Sequence, residues 1–166
     1  LFLRETHLKV LQVLEQAEAL TQRYQVVVAN PPYMGSKWMN SLLRGGLKIQ
    51  YESFKADLFS AFVYRGSWLA VKGGMLGYMT PNVWMYITSH NLLRDHLIRH
   101  QTIASLIELP LSGFSGAVVQ VCAFTFSNRR MACKKHGVYI RLCEFSGASE
   151  MPIRALEAIK NPDCGW

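Results

Sequence analysis

The sequence predicts an α/β fold built on a mostly parallel sheet, with an antiparallel hairpin at one edge. Helical and strand-like patterns alternate along the chain, which is the order typical of parallel strands joined by helices. Several apolar strands end abruptly at prolines, as buried strands do where they open into loops. The strands at 103–109 and 118–126 are joined by a link too short for a helical crossover, so they are predicted to be antiparallel neighbours.

Four helices are predicted from the spacing of apolar residues. Leucines and alanines recur every three or four residues over 7–20, which predicts an amphipathic helix. A second run predicts a helix over 57–71, with Asp57 at its positive end and Gly73-Gly74 at its stop. The remaining helices are expected at 89–100 and 153–160.

The strands follow from short runs rich in β-branched and apolar residues. Val26-Val27-Val28 predicts a buried parallel strand at 25–29, whose carboxyl end opens into a loop. The other strands are predicted at 75–80, 103–109, 118–126 and 137–142. The stretch 34–55 is polar and contains glycines, so we expect a long loop with a short helix.

Bulk composition limits the kinds of protein that this chain can be. It has 166 residues, half of them apolar, and a formal net charge of +7. These numbers predict one packed domain, and the charge fits a polyanionic partner about as well as an ordinary basic surface. The four cysteines form no C-x-x-C pair, so no metal site is predicted. The chain has no secretory signal and no apolar stretch of about 18 residues, so we expect a cytoplasmic protein with reduced thiols.

The motif Asn30-Pro31-Pro32-Tyr33 stands directly after the first predicted strand. In open α/β sheets, ligands bind beyond the carboxyl ends of the strands. An asparagine and a stiff proline loop can present two carbonyl acceptors to an exocyclic amino group, which would localise the nitrogen lone pair for methylation. The flat ring of Tyr33 offers a stacking surface for a base, worth roughly 1–3 kcal/mol. A plain proline-rich turn is the alternative interpretation.

This motif resembles the catalytic motif of amino-methylating, S-adenosylmethionine-dependent DNA methyltransferases. The similarity covers about residues 24–128. Further matching segments are Asp57-Leu58-Phe59-Ser60-Ala61-Phe62, Lys72-Gly73-Gly74, Gly77-Tyr78-Met79-Thr80-Pro81-Asn82-Val83-Trp84 and Val118-Val119-Gln120. The stretches 32–37 and 116–120 are most similar to the adenine methyltransferases of BREX phage-exclusion systems, and they also resemble fused restriction-methylation enzymes.

The resemblance implies a partial Rossmann-like class I methyltransferase fold and a role for each motif residue. Asn30 and Pro31 would bind the amino group of a flipped adenine in double-stranded DNA, with Pro32 completing the catalytic loop. Tyr33 would stack on that base, and only its ring is expected to matter. Phe114 would make a second contact to the base, and Phe62 would lie near the cofactor, S-adenosyl-L-methionine. Other phage-defence subunits are implied as partners.

The chain departs from the family on the side of the methyl donor. The family's glycine-rich turn and the acidic residue that holds the ribose are both missing, since residues 1–29 contain no glycine. We therefore interpret 1–130 as the C-terminal, catalytic-motif half of a methyltransferase domain and 131–166 as the start of a following segment. Such a fragment is expected to be inactive alone.

Basic and aromatic residues outside the motif carry weaker predictions. Four cations in the loop after the motif are expected to contact the DNA backbone, namely Lys37, Arg44, Lys48 and Lys55. The clusters at 129–130 and 134–136 fit phosphate contacts or a solvated turn equally well. Trp38, Trp68 and Trp84 are expected to pack rather than to stack on bases.

Two other functions remain open at the level of sequence. Methyltransferases that act on ribosomal RNA bases or on protein glutamines use a similar asparagine-proline loop, although the long basic stretch 34–55 favours DNA adenine. A chain without the donor turn could instead be an inactive remnant that binds nucleic acid or a partner.

Overall fold

The structure, a computed structural model, describes residues 2–111, 118–130, 137–145 and 149–164. Five strands form a single sheet, and five α-helices accompany it within these ranges. The helices are α1 (Phe2–Thr21), α2 (Ser41–Gln50), α3 (Leu58–Leu69), α4 (Asn91–His100) and α5 (Glu150–Lys160). The strands are β1 (Tyr24–Ala29), β2 (Ala70–Pro81), β3 (Thr102–Glu108), β4 (Val121–Ser127) and β5 (Val138–Arg141). Short 3-10 turns occur at Ser36–Trp38, Glu52–Phe54, Asn82–Met85 and Thr88–His90.

The sheet is mixed, and its strands lie in the order β1-β2-β4-β3-β5. β1 pairs with β2 and β3 pairs with β5 in parallel, whereas β4 runs antiparallel to both of its neighbours. Helices lead from β1 to β2 and from β2 to β3, as parallel strands require. The predicted α/β class, with four strands in one direction, is therefore confirmed.

The predicted hairpin of β3 and β4 is present, but its expected position at one edge of the sheet is wrong. β4 lies between β2 and β3, and β5 extends the sheet beyond β3. Residues Val121, Cys122, Phe124 and Phe126 of β4 are almost completely buried, which suits a strand with partners on both sides. The short link predicts that the two strands are neighbours, but it does not indicate which side of β3 the returning strand takes.

The end of α3 also differs from the sequence-based expectation. The helix ends at Leu69 instead of continuing to residue 71, and Gly73-Gly74 lies inside β2. Gly73 has a φ of 82°, and the pairing of β1 with β2 shifts register between Tyr24 and Val26. The glycines thus form an irregularity in the strand instead of capping the helix, because only glycine adopts this backbone conformation at no steric cost.

The first helix and first strand are present, but they are far more exposed than predicted. β1 is one of the two edge strands of the sheet, and its Val26 and Val28 are 60% and 76% exposed. The apolar residues of α1 are exposed as well: Leu3, Leu8, Val10, Leu11, Val13, Leu14 and Leu20. The expectation of a buried β1 is wrong for this chain: Val27 and Ala29 pack inward on one face of the sheet, whereas Val26 and Val28 are exposed on the other.

The main core lies between the sheet and helices α3 and α4. Its centre is a run of aromatic rings in which Tyr78 stacks on Phe126 at 5.9 Å and Trp84 lies 5.0 Å from Phe124. The remaining buried core residues include Phe59, Val63, Leu76, Leu93, Leu97 and Cys122. Close packing of these rings with the two helices fixes the positions of β1 and β2, and therefore of the loops that follow them.

A smaller cluster joins α5 to the far side of the sheet. Ile140 and Leu142 pack with Ala158 of α5 and with Ile107 of β3. Ile107 is adjacent to Leu106, which belongs to the main core, so the two clusters lie on opposite faces. Among the described residues, no helix is long and apolar enough to cross a membrane.

Gly66 provides a test of how closely α3 packs on the sheet. A Cβ at this position would lie 2.9 Å from Cζ of Tyr78 and 3.2 Å from Cδ2 of Leu76. We expect Gly66→Ala to lower the free energy of unfolding by about 1–3 kcal/mol, because overpacking outweighs the usual helix preference for alanine. Denaturant unfolding measures this change.

Gly46→Ala in α2 is the matched control, since a Cβ there would meet nothing within 4 Å. This substitution should stabilise the protein by up to about 1 kcal/mol. If both substitutions stabilise the protein equally, the tight contact of Gly66 with Tyr78 is not present in solution.

Candidate active site

The sequence motif follows the last residue of β1, as predicted. It lies at the edge of the sheet where β2 ends at Pro81 and β3 ends at Glu108. Asn30 is exposed, whereas Pro31 is buried. The loop is thus anchored through a proline while the asparagine side chain stays accessible, which is the arrangement that a ligand-binding edge of an α/β sheet needs.

The hydroxyl of Tyr33 has a partner that the sequence did not predict. It donates to Oδ1 of Asn30 at 2.9 Å and lies 3.3 Å from the carbonyl oxygen of Met79. Burial raises the pKa of Tyr33, with a further contribution from Cys122, so the hydroxyl remains a donor at neutral pH. The Tyr33 residue is 38% exposed, which leaves part of its ring available for stacking.

The loop after the motif is fastened to the start of α3 by Asp57. Its Oδ1 accepts the backbone N–H of Met34 at 3.1 Å and that of Phe59 at 3.2 Å. Burial raises the pKa of this carboxyl group, and the backbone hydrogen bonds oppose that rise. The N–H of Leu58 donates in turn to the carbonyl of Met34 at 3.0 Å. One residue therefore caps the helix and holds the chain that leaves Tyr33.

Three of the four predicted DNA-contacting cations share one cavity of about 680 Å³. Arg44, Lys48 and Lys55 line it together with Ser36, Ser53 and Ser89. Arg44 donates to the carbonyl of Met39 at 2.9 Å, and Lys55 lies 3.3 Å from a carboxylate oxygen of Glu52. The fourth cation, Lys37, is exposed and does not line this cavity.

The other basic clusters are not placed beside the motif. Arg129 and Arg130 are exposed and follow β4, which runs antiparallel to its neighbours, so they lie at the opposite edge of the sheet from Asn30. Residues 134–136 lie outside the described ranges, as does Phe114.

Phe62 projects from α3 beside an apolar cavity of about 400 Å³ and is 43% exposed. The cavity also contacts Val28 and Ala29 of β1, so it adjoins the strand that carries Asn30. Its apolar walls suit one face of the adenine of S-adenosylmethionine. No carboxylate is among the described residues that line it, so the ribose of that cofactor would lack its usual acidic partner here.

A buried polar network at the same edge of the sheet is not predicted by the sequence pattern. Glu108 is 7% exposed, and its Oε1 accepts hydrogen bonds from Nδ2 of Asn82 and from the hydroxyl of Tyr86, both at 2.8 Å. Burial and the bond to Glu108 raise the pKa of Tyr86 to about 12. Nε of Arg141 lies 3.6 Å from the other carboxylate oxygen. The sequence feature that could have indicated this network is Glu108 itself, a glutamate at the end of the apolar strand β3.

The three tryptophans that were expected to pack differ sharply in environment. Trp84 is buried and donates to Sγ of Cys122 at 3.3 Å, which confirms the expectation. Trp68 is about half exposed and makes an edge contact with Tyr64. Trp38 is 84% exposed, so for this residue the expectation is wrong. The adjacent residue Met39 is buried instead.

The chain is similar in sequence to proteins described as adenine-specific methyltransferases. The chain is 34% identical over 144 residues to the adenine-specific methyltransferase BrxX of Escherichia coli O9:H4 (strain HS), a match covering 85% of this chain and 12% of that protein. It is 30% identical over 151 residues to the adenine-specific methyltransferase PglX of Lacticaseibacillus casei (strain Zhang), covering 90% of this chain and 12% of that protein. The chain thus spans about an eighth of the length of these relatives.

A solved structure and a family description agree with these relatives. The fold superposes with a TM-score of 0.60 on a Listeria monocytogenes protein described as a putative class I S-adenosylmethionine-dependent methyltransferase, at 17% identity and covering 84% of this chain and 43% of that one. The model of the family described as "Eco57I restriction-modification methylase" matches residues 4–114 of this chain. The chain has the fold of class I methyltransferases and belongs to the Eco57I restriction-modification methylase family.

Proposed function

We propose that this chain is the methyl-acceptor half of a site-specific adenine-N6 DNA methyltransferase that serves phage defence or restriction-modification. The observation that carries the proposal is the exposed carboxamide of Asn30, held beside Tyr33 at the carboxyl end of β1 in a chain of this family. The description of BrxX and PglX as adenine-specific supports the choice of base.

The motif supplies what methylation of an amino group needs. The adenine amino nitrogen shares its lone pair with the ring and is a poor nucleophile. Oδ1 of Asn30 and the carbonyl of Pro31 would accept its two N–H groups and draw the nitrogen toward a tetrahedral shape. Pro31 has a fixed φ and is buried, so its carbonyl is held in place before the base arrives. Pro32 extends the same stiff loop.

Tyr33 would serve the base in two ways. Its ring would stack on the flipped adenine, an interaction worth roughly 1–3 kcal/mol. Its hydroxyl donates to Oδ1 of Asn30, which orients the carboxamide with its oxygen toward the motif loop. A carbonyl oxygen has two lone pairs, so the base can bind to Oδ1 while this hydrogen bond persists.

The cofactor of the intact enzyme would be S-adenosyl-L-methionine, a sulfonium compound that supplies the methyl group when bound. In this chain, Phe62 and the neighbouring apolar cavity would contact its adenine. The glycine-rich turn and the acidic ribose partner would come from a segment other than this chain. For that reason we expect the chain alone to be inactive.

Double-stranded DNA with a flipped adenine would approach along the carboxyl edge of the sheet. Lys37, Arg44, Lys48 and Lys55 would contact its phosphates, which adds affinity without sequence choice. Phe114 would make a second contact to the base.

The chain would form part of a larger bacterial enzyme. Residues 1–130 would belong to the C-terminal half of its methyltransferase domain, and 131–166 would begin the following segment. We place the enzyme in the bacterial cytoplasm, together with other phage-defence subunits.

The function is tested by the choice of methyl acceptor. The intact enzyme is incubated with labelled S-adenosylmethionine and, separately, with DNA, ribosomal RNA and protein acceptors. We expect label in DNA only, with N6-methyladenine as the product after digestion. Label confined to RNA or to protein glutamine would contradict the proposal, and no incorporation into any acceptor would favour an inactive remnant.

Replacing Asn30 tests its role as an acceptor. In the intact enzyme, we expect Asn30→Ala to reduce the methylation rate by at least about two orders of magnitude, because a positioned acceptor is lost at the transition state. Cofactor affinity, measured by titration, should change little. Asn30→Asp keeps an acceptor oxygen and should retain more activity than alanine. A wild-type methylation rate in Asn30→Ala would mean that Asn30 serves only in the turn after β1 and not as an acceptor.

Two substitutions of Tyr33 separate its ring from its hydroxyl. Tyr33→Phe keeps stacking and removes one hydrogen bond, so we expect a rate loss of at most about tenfold, in keeping with roughly 0.5–1.5 kcal/mol for such a bond. Tyr33→Ala also removes the stacking surface and should lose clearly more. Both variants should unfold within about 1 kcal/mol of the wild type. A much earlier melt of Tyr33→Ala would identify Tyr33 as a packing residue instead.

The cations are tested through the salt dependence of DNA binding. Removing a phosphate contact should reduce the slope of log affinity against log salt by about 0.9. We expect this reduction for Lys48→Gln, whose side chain lines the cavity near the motif. Lys72→Gln is the matched control, because Lys72 is exposed near the amino end of β2, at the opposite edge of the sheet. Equal slopes for both variants would exclude Lys48 from the interface.

A further inference from the structure

Trp38 is the most unusual surface residue near the motif. It is 84% exposed, although tryptophan is ordinarily largely buried because its ring carries a large apolar area. It ends the short turn Ser36–Trp38, five residues after Tyr33. A chain of five residues spans at most about 18 Å, so the Cα atom of Trp38 lies within that distance of the Cα atom of Tyr33.

The backbone of this turn is fixed, so the exposure of Trp38 does not come from a loose chain. The N–H of Trp38 donates to the carbonyl of Gly35 at 2.9 Å, and the N–H of Ser36 donates to the carbonyl of Ala56 at 3.1 Å. The next residue, Met39, is 3% exposed and packs with Leu47 of α2. Anchors on both sides of Trp38 hold its indole outward from the protein.

The surroundings of Trp38 fit a partner with an anionic exterior and an apolar interior. Lys37 beside it is exposed, and the cavity lined by Arg44, Lys48 and Lys55 adjoins the same turn through Ser36. Leu42, four residues further along the chain in the first turn of α2, is 86% exposed. Duplex DNA combines a phosphate exterior with stacked bases, and an aromatic side chain reaches such bases only where the stack has been opened.

We propose that Trp38 inserts its indole into the base stack of the duplex, in the gap that the flipped adenine leaves. This proposal rests on the proposed function, since the gap exists only if the base is extruded. Flipping costs the stacking and pairing of the extruded base, and an indole stacked on the bases that border the gap offsets part of that cost. Tyr33 would hold the flipped adenine, and Trp38 would hold open the position from which it came.

The test compares duplexes that differ only in the cost of flipping. The intact enzyme is first used to map its methylated adenines in genomic DNA, which identifies a target site. Two duplexes with that site are then made, one with thymine opposite the target adenine and one with an abasic position there. Flipping is easier in the second duplex, because the target base is unpaired. Methylation rates are measured for the wild type and each variant on both duplexes.

For Trp38→Ala we expect a loss of about tenfold or more on the paired duplex and a clearly smaller loss on the abasic one. Trp38→Phe should retain most of the activity on both duplexes, since it keeps an aromatic ring. Trp68→Phe is the matched control, because that tryptophan lies on α3 and contacts Tyr64, and it should match the wild type throughout.

Equal losses of Trp38→Ala on the two duplexes would overturn the proposal, as would full activity on the paired duplex. A melting temperature of Trp38→Ala well below that of the wild type would also overturn it, because Trp38 would then pack against another part of the enzyme. If the intact wild-type enzyme leaves no N6-methyladenine in genomic DNA, the proposed function itself fails, and that outcome differs from every outcome that concerns Trp38 alone.

Discussion

The site depends on one carboxylate, that of Asp57. Oδ1 of Asp57 accepts a backbone N–H from Met34, just after the motif, and another from Phe59, in the first turn of α3. Since α3 packs on the central aromatic core, this carboxylate transmits the rigidity of the core to the loop that carries Asn30 and Tyr33. A charge that accepts two backbone donors is a stronger link than either neutral hydrogen bond alone. The motif can therefore be preorganised without any contact to a ligand.

Two residues of the proposed acceptor side are already in contact, whereas the opposite side of β1 is open among the described residues. Asn30 and Tyr33 already contact each other, and Pro31 is buried. On the other side of β1, Val26 and Val28 are exposed, and the cavity beside Phe62 has apolar walls without a carboxylate among the described residues. Unpaired strand edges with exposed apolar residues are normally covered in folded proteins. The carboxyl end of β1 therefore leads into an ordered loop, whereas the outer edge of the same strand is uncovered among the described residues. This difference agrees with the proposed division between an acceptor half and a donor half.

The sequence predicted what local patterns determine. Every expected helix and strand is present with its ends within about five residues of the prediction, and Asn30 lies just past a strand because prolines end strands predictably. Features that depend on tertiary neighbours were not predictable in this way. The insertion of β4 between β2 and β3, the exposure of Trp38 and the bond from Tyr33 to Asn30 each depend on which segments meet in space. The short helix expected within 34–55 is α2, which has ten residues, and its two glycines obscured its bounds in the sequence pattern.

Those glycines indicate how α2 can adapt its position while the motif loop stays rigid. Gly45 and Gly46 sit mid-helix with open space around them, and each costs about 1 kcal/mol of helix stability relative to alanine. The helix is held mainly by the cap at Asn40 and by the burial of Leu47. A helix of low intrinsic stability that carries Arg44 and Lys48 can adjust to the path of a DNA backbone at little energetic cost. The loop of Asn30 is held to α3 by the hydrogen bonds of Asp57. It meets the cluster of Met39, Leu47 and Ala61 through apolar packing of Met34, which restrains direction less than hydrogen bonds do.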